Sequence, residues 1–246
     1  LKQLLQNFYF LLKSLPFLGL GGSIKLFWSR MLTGNFLVQP HELSHALQLR
    51  GKGSDSLVLY ATYCRGAYPL PADPSIRLII DAGANVGYTA AHFAEAFPHA
   101  KVIALEPEAS NYQMLVKNTK PWKNVVPLCK GLWWRKAEVA VRNQGAENWC
   151  FEFAECAAGE GTPATTIQDL LAEYGNGGKV LVKMDVEGAE KKIFEEKPAW
   201  LKEIDYLYIE IHDAFKEVFD ALAPHDYSAR IVDENILVTL KRISHD

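Results

Sequence analysis

Ile79-Ile80-Asp81-Ala82-Gly83-Ala84-Asn85-Val86-Gly87 runs an apolar strand into a glycine-marked turn, and a helical pattern over residues 89–97 follows at once. In an open parallel sheet, ligands bind beyond the carboxyl ends of strands, where the chain turns into a helix. Gly83 and Gly87 permit a tight turn and close approach of a ligand to backbone, and Asp81 and Asn85 put polar groups at its rim. Glu106 ends the next apolar run, 23 positions after Gly83. A carboxylate there can accept two hydrogen bonds from a ribose diol. Dinucleotides use the same sheet edge, but their sites favour Gly-x-Gly-x-x-Gly, and here Asn85 stands at the second glycine's place. An NAD-dependent oxidoreductase and a non-catalytic nucleotide-binding module therefore stand as alternatives to the reading reached below.

Strand and helix patterns alternate outward from this turn, as parallel strands joined by crossover helices require. Strands are expected over residues 77–81, 102–106, 125–128, 180–185 and 206–211, and helices over 89–97, 110–118, 166–174 and 214–222. Thr166-Ile167-Gln168-Asp169 has the Thr-x-x-acid spacing of a capping box. Two short strands, 138–142 and 150–154, flank Asn143-Gln144-Gly145 and read as an inserted hairpin. The tail adds strands over 228–232 and 236–241, and the three-residue link between them forces an antiparallel pair. The expected fold is α/β: a Rossmann-like, doubly wound, seven-stranded, mostly parallel sheet with one antiparallel strand near the edge, plus an N-terminal helical arm. Pro69, Pro71 and Pro74 mark a stiff connection, dividing an arm and connecting segment (1–74) from the ligand-binding domain (75–246).

Across 246 residues, Lys plus Arg number 26 against 29 Asp plus Glu, so no global charge draws the chain to nucleic acid. Cys64, Cys129, Cys150 and Cys156 form no Cys-x-x-Cys pair, and so sparse a set fits a reducing cytoplasm. The arm is locally different. Leu1, Leu4, Leu5, Phe8, Tyr9 and Leu12 recur at helical spacing, and its charges before Glu42 are Lys2, Lys13, Lys25 and Arg30. Lys13, Ser14 and Pro16 interrupt the apolar run, which on this reading is too short to span a bilayer. No small-residue cleavage site follows, so a signal peptide is not expected. Two readings remain: an arm packed on its own domain or on a second subunit in a homodimer, and a membrane-interface helix that contacts an anionic surface peripherally.

A second polar cluster falls at the same sheet edge. Asp185-Val186-Glu187-Gly188-Ala189-Glu190 leaves the fourth strand, and His212-Asp213 leaves its neighbour. Asp185, Glu187 and His212 could deprotonate a hydroxyl acceptor; alternatively Asp185 and Asp213 could hold a divalent cation, or His212 could merely cap the sheet edge. The base mechanism is favoured over the metal, because an unperturbed imidazole is largely neutral at physiological pH. His41-Glu42-Leu43-Ser44-His45 also matches His-Glu-x-x-His, the two-histidine zinc pattern of peptidases. Gln48 and Gly51 stand where its common extension needs Gly and His, so a short surface helix with Pro40 in its first turn is expected instead.

The chain resembles the FkbM family of methyltransferases through Ile80 to Gly87 of the turn, Ala104-Leu105-Glu106-Pro107, and Lys183-Met184-Asp185-Val186-Glu187-Gly188-Ala189-Glu190. The resemblance extends over residues 78–211 and includes Thr165-Thr166-Ile167-Gln168-Asp169-Leu170-Leu171. It implies transfer of a methyl group from S-adenosyl-L-methionine, commonly to a hydroxyl oxygen of a sugar or secondary metabolite. Asp81, Gly83, Asn85, Gly87 and Glu106 would then hold the donor, with Asp185, Glu187 and His212 facing a small hydroxylated acceptor. After the third strand the family often carries a small residue and an Asp facing the adenine, whereas this chain has Gly131-Leu132-Trp133-Trp134. Trp133 could cover the purine by stacking, or the tryptophans could pack beneath the inserted hairpin.

Overall fold

The computed structural model describes residues 2–142 and 153–241. In chain order the elements are α1 (Lys2–Ser29), β1 (Asn35–Val38), β2 (Leu47–Arg50), α2 (Asp55–Tyr60), β3 (Ile76–Ala82), α3 (Tyr88–Ala96), β4 (Lys101–Leu105), α4 (Ala109–Thr119), β5 (Val125–Leu128), β6 (Gly131–Leu132), β7 (Ala137–Val141), β8 (Phe153–Glu155), β9 (Thr162–Thr165), α5 (Ile167–Tyr174), β10 (Lys179–Met184), α6 (Glu190–Glu195), β11 (Tyr206–Glu210), α7 (Phe215–Leu222), β12 (Tyr227–Val232) and β13 (Asn235–Leu240).

The main sheet has seven strands in the order β12-β13-β11-β10-β3-β4-β5. β3 pairs parallel with both β4 and β10, and only β13 runs against its neighbours, one position in from the edge. The chain leaves β3 toward β4 on one side and later returns to β10 on the other, so the strand order reverses at β3, where open α/β sheets form their ligand crevice. Both faces of β3 are covered, and its side chains sort by the two-residue period: Ile79 faces the core built with Phe93 of α3 and Leu115 of α4, while Leu78 and Ile80 face the core built with Leu170, Phe194 and Val218 of α5, α6 and α7. Thr166 caps α5 as its spacing predicts, its hydroxyl accepting from the Asp169 N–H at 3.0 Å.

The hairpin expectation holds in part. β7 and β8 pair antiparallel, and they belong to a separate four-stranded sheet, β6-β9-β7-β8, whose two-residue β6 is too short to be legible by periodicity. The expected turn Asn143-Gln144-Gly145 and Cys150 lie outside the described residues.

The arm differs from expectation. The helix continues through Pro16 and reverses at Gly19, whose left-handed φ of 61° suits a residue without Cβ. Residues far apart in sequence meet as a result: the Ser14 hydroxyl donates to Ser23 Oγ at 2.8 Å, and Arg30 Nε donates to Asn7 Oδ1 at 2.7 Å. α1 is thus a folded helical hairpin. Residues 41–45 form a turn rather than the expected helix, because they dock on the hairpin's bend. The His41 N–H donates to the Phe17 carbonyl at 2.8 Å and its ring Nδ1 lies 3.1 Å from the Pro16 carbonyl, engaging acceptors that the helix end leaves open. Glu42 pairs instead with His92 at 2.9 Å, and His45 packs edge-on against Trp122. The peptidase arrangement is absent.

Candidate active site

The turn after β3 is held from three sides. The N–H groups of Gly83 and Ala84 both donate to the Leu105 carbonyl, at 3.1 and 2.9 Å. Gly83 has φ 76°, and a Cβ there would stand 1.8 Å from the Asp185 carbonyl oxygen, so β3 and β10 approach as closely as they do only because this residue is glycine. Asn85 is also left-handed, at φ 49°, which aims its N–H at Glu106 Oε2, 2.9 Å away. Glu106 Oε1 accepts from the Glu108 N–H at 3.0 Å. Burial pushes the Glu106 carboxyl up to about 7 despite these two bonds.

Gly87 caps α3 in the left-handed region and lets the helix press on Leu115, so it supports the turn rather than lining it. Asp81 is displaced from its expected place at the rim. It is fully buried, accepts from the Thr89 hydroxyl at 2.6 Å, and lies 3.5 Å from Lys183 Nζ. Lys183 is equally buried; its Nζ donates to the Gly83 carbonyl at 2.7 Å and sits 3.4 Å from Asp185 Oδ2. Burial alone would lower its affinity for the proton, but Asp185, Tyr68 and Asp81 raise it above the ordinary lysine value. The ammonium is therefore a fixed cation that ties the ends of β3 and β10 together.

Asp185, Glu187 and His212 do converge, each offering one ligand atom within 4.8 Å of the others. Asp213, also considered as a ligand, is exposed and takes no part in this group. His212 Nδ1 is 3.1 Å from Glu190 Oε1, and its Nε2 is 3.5 Å from Glu210 and 3.6 Å from Glu187. Hydrogen bonds to Glu190 and Glu210 raise the ring's pKa to about 11. In these surroundings the ring is an imidazolium at neutral pH, contrary to the neutral imidazole that an unperturbed histidine implies. Burial, with Asp185 as a neighbour, pushes Glu187 up to about 7. Glu190 stands in the quoted motif without a role, and Glu210 precedes His212 by two positions on the strand pattern, which places both on one face. Lys183 was visible within the quoted motif but carried no role there.

Two clefts meet at this cluster. One is a half-open cleft with about 570 Å³ of free space, part of it open to solvent, lined by Glu106, Pro107, Asn111, Leu132 and Phe153. The other, with about 1060 Å³ of free space likewise partly open to solvent, runs from Lys183 and Glu210 past Tyr68 to Tyr60, Leu57 and Phe10 of the arm. Gly83, Asn85, Asp185 and Glu187 border both. Trp133 lines neither. Its indole is buried and donates to Glu155 Oε1 at 2.6 Å, so it packs beneath the hairpin, and the cleft wall it was expected to supply comes from Leu132 and Phe153.

Residues 81–229 match the Methyltransferase FkbM domain. The methyltransferase sdnD of Sordaria araneosa is 27% identical over an alignment of 176 residues, with 56% of this chain and 65% of that relative covered. The chain thus spans a little under two thirds of the curated relative it matches. Among solved structures, methyltransferase FkbM from Methylobacillus flagellatus shares 16% identity with a TM-score of 0.48, over 70% of this chain and 45% of that one. Aeropyrum pernix fibrillarin in complex with S-adenosyl-L-methionine shares 10% identity with a TM-score of 0.43, over 85% and 94% of the two chains. The family match alone covers more than half of the sequence and contains the turn, Glu106 and the Asp185 to His212 cluster, and by it this chain belongs to the FkbM methyltransferase family.

Proposed function

We propose that the chain is an S-adenosyl-L-methionine-dependent O-methyltransferase that acts on a hydroxyl of a small sugar or secondary metabolite in the cytoplasm. The observation that carries this reading is the meeting of the two clefts at Asp185 and Glu187: one suits a donor, the other an acceptor, and their shared border is where a methyl group would pass.

The donor cleft fits the cofactor on its own chemistry. Glu106 lines it with a carboxylate whose oxygens each accept one backbone N–H, leaving further lone pairs for a ribose diol. When bound, S-adenosyl-L-methionine supplies a sulfonium methyl open to displacement by an oxygen nucleophile. The chain's own residues do the rest. Gly83 lets ligand and backbone approach, and Leu132 and Phe153 offer apolar cover. Glu187 takes the acceptor's proton at its carboxylate, since a base whose pKa lies near 7 combines availability with driving force. The imidazolium of His212 stabilises the ionised Glu187 across 3.6 Å, and buried Glu190 holds the ring in place. Alignment of acceptor and donor across the shared border supplies the remaining acceleration.

The test is calorimetry with S-adenosylhomocysteine and with NAD, followed by methyl-transfer assays on a panel of hydroxylated metabolites with and without EDTA. Binding of NAD in place of S-adenosylhomocysteine would overturn the donor assignment. Activity lost to EDTA and restored by magnesium would replace proton abstraction by Glu187 with activation by a metal at the same cluster.

A further inference from the structure

The polarity of the α1 hairpin is inverted relative to a helix packed on a soluble domain. Its buried side carries polar groups beside the core residues Leu18 and Leu26: Asn7, Ser14, Ser23 and Ser29 are each at most 2% exposed, and the Ser14–Ser23 and Asn7–Arg30 bonds join its two arms. Its exterior is apolar: Phe8, Tyr9, Leu12, Leu20, Ile24 and Trp28 are 40–65% exposed. They recur at helical spacing along each arm, so they form stripes and not scattered exceptions. Hydroxyls and amides that satisfy one another between helices, with large apolar groups facing out, are the arrangement that a hydrocarbon environment rewards.

The charge pattern names the partner. Lys13 and Lys25 are exposed beside these stripes, and no acidic residue precedes Glu42. Two such faces brought together would oppose like charges with no carboxylate between them, which disfavours a second copy of the chain. Anionic lipid headgroups complement the face, with apolar side chains entering beneath them.

The fold also sets the depth. By length and composition residues 6–29 are long and apolar enough to cross a membrane. The reversal at Gly19 leaves arms of about 25 Å and about 15 Å at 1.5 Å per residue, and the bend itself is docked on His41. Neither arm spans a hydrocarbon core of about 30 Å. A hairpin of these dimensions would reach only one leaflet.

The large cleft joins the arm to the chemistry, since Phe10 of α1 and Leu57 of α2 line it together with Asp185 and Glu187. We infer that the hairpin seats the enzyme on an anionic lipid surface and that the acceptor is an amphiphile resident in that surface, its apolar part lying between Phe10, Leu57 and Tyr60 and its hydroxyl at Asp185 and Glu187. The acceptor half rests on the proposed methyl transfer; the membrane half does not.

The test uses the full chain, co-sedimented with vesicles of phosphatidylcholine alone and with one quarter phosphatidylserine, beside the triple variant L20E/I24E/W28E. Capture by the anionic vesicles and at least tenfold loss of it in the variant are expected, with circular dichroism and S-adenosylhomocysteine affinity unchanged. No capture would overturn the seat, as would a dimer in solution that the variant dissociates. In a second arm, decyl glucoside below its micelle concentration should bind by calorimetry at least tenfold more tightly than glucose, and L57R should abolish the difference. Equal affinity for the two would overturn the amphiphile assignment. S-adenosylhomocysteine binding without vesicle capture sinks this inference alone, and vesicle capture without S-adenosylhomocysteine binding sinks the methyltransferase reading alone.

Discussion

His212 Nδ1 lies 3.1 Å from Glu190 Oε1, a carboxylate with no solvent exposure. A buried charge without a partner is costly, so this contact secures the proton on the ring as firmly as it secures the carboxylate. The folded-state pKa of about 11 stands above the ordinary value of 6.5, and native protein therefore holds the proton more tightly than the unfolded chain. Stability from this group is fully present below about pH 6.5, declines as pH rises above that, and is lost through pH 11. Nuclear magnetic resonance of the ring should show no titration between pH 6 and 9, and Glu190→Gln should bring the transition down into that window. A ring that titrates near 6.5 in the native protein would contradict the assignment.

Turnover should follow Glu187 instead. Its carboxyl, raised to about 7, can act as the proposed proton acceptor only above that pH, so the rate should fall as pH drops through 7. Glu187→Gln is expected to lower kcat by roughly 10²- to 10⁴-fold and to remove this acid limb, with little change in donor affinity. His212→Ala should move the limb to a higher pH, because the cation favouring ionised Glu187 is gone. A limb left at pH 7 in either variant would assign it elsewhere.

The ribose contact proposed for Glu106 would make donor affinity pH-dependent. Its carboxyl is raised to about 7 by burial, whereas ribose hydroxyls donate to the ionised form. Binding below pH 7 must therefore release a proton, and S-adenosylhomocysteine affinity should weaken by up to about tenfold per pH unit below 7 and level off above it. Calorimetry in buffers of different ionisation enthalpy counts the proton. Glu106→Ala should cost about 1.5–3 kcal/mol of donor binding, and Glu106→Gln should flatten the pH profile.

Lys183→Met removes the cation between Asp81 and Asp185 while keeping the volume of the side chain. Asp81 is then a buried carboxylate without a counter-charge, and an unfolding penalty of about 3–5 kcal/mol is expected in urea titrations. Adding Asp81→Asn should recover part of that loss. Additive losses in the double variant would show that the two side chains do not act as a pair.

Trp133→Phe should leave S-adenosylhomocysteine affinity unchanged and lower thermal stability, because the indole N–H serves Glu155 and the ring fills the core under the hairpin. Loss of donor affinity without loss of stability would restore the stacking role.

The alternation of strands and helices, the antiparallel tail and the position of the crevice were determined by the sequence, since they follow from local quantities: the two-residue period of Leu78 to Asp81, glycines at Gly83 and Gly87, and the three-residue link that makes β12 and β13 antiparallel. Those signals are carried by residues adjacent in the chain. The convergence of Asp185, Glu187 and His212 was legible too, because it follows from strand ends sharing one sheet edge. Their protonation was decided only by tertiary structure. Glu190 reaches His212 from the following helix, and burial, which no local pattern reports, sets the pKa of Glu187 and Glu106. Trp133 could be placed after the third strand from sequence, yet whether its ring covered the cleft or packed beneath the hairpin depended on Glu155 from a separate strand. The arm shows the same division. Its apolar spacing stood in the sequence, whereas the turn at Gly19 that hides the serines and leaves the apolar stripes outside arises from pairing of residues 23 positions apart, and long-range pairing leaves no periodic trace.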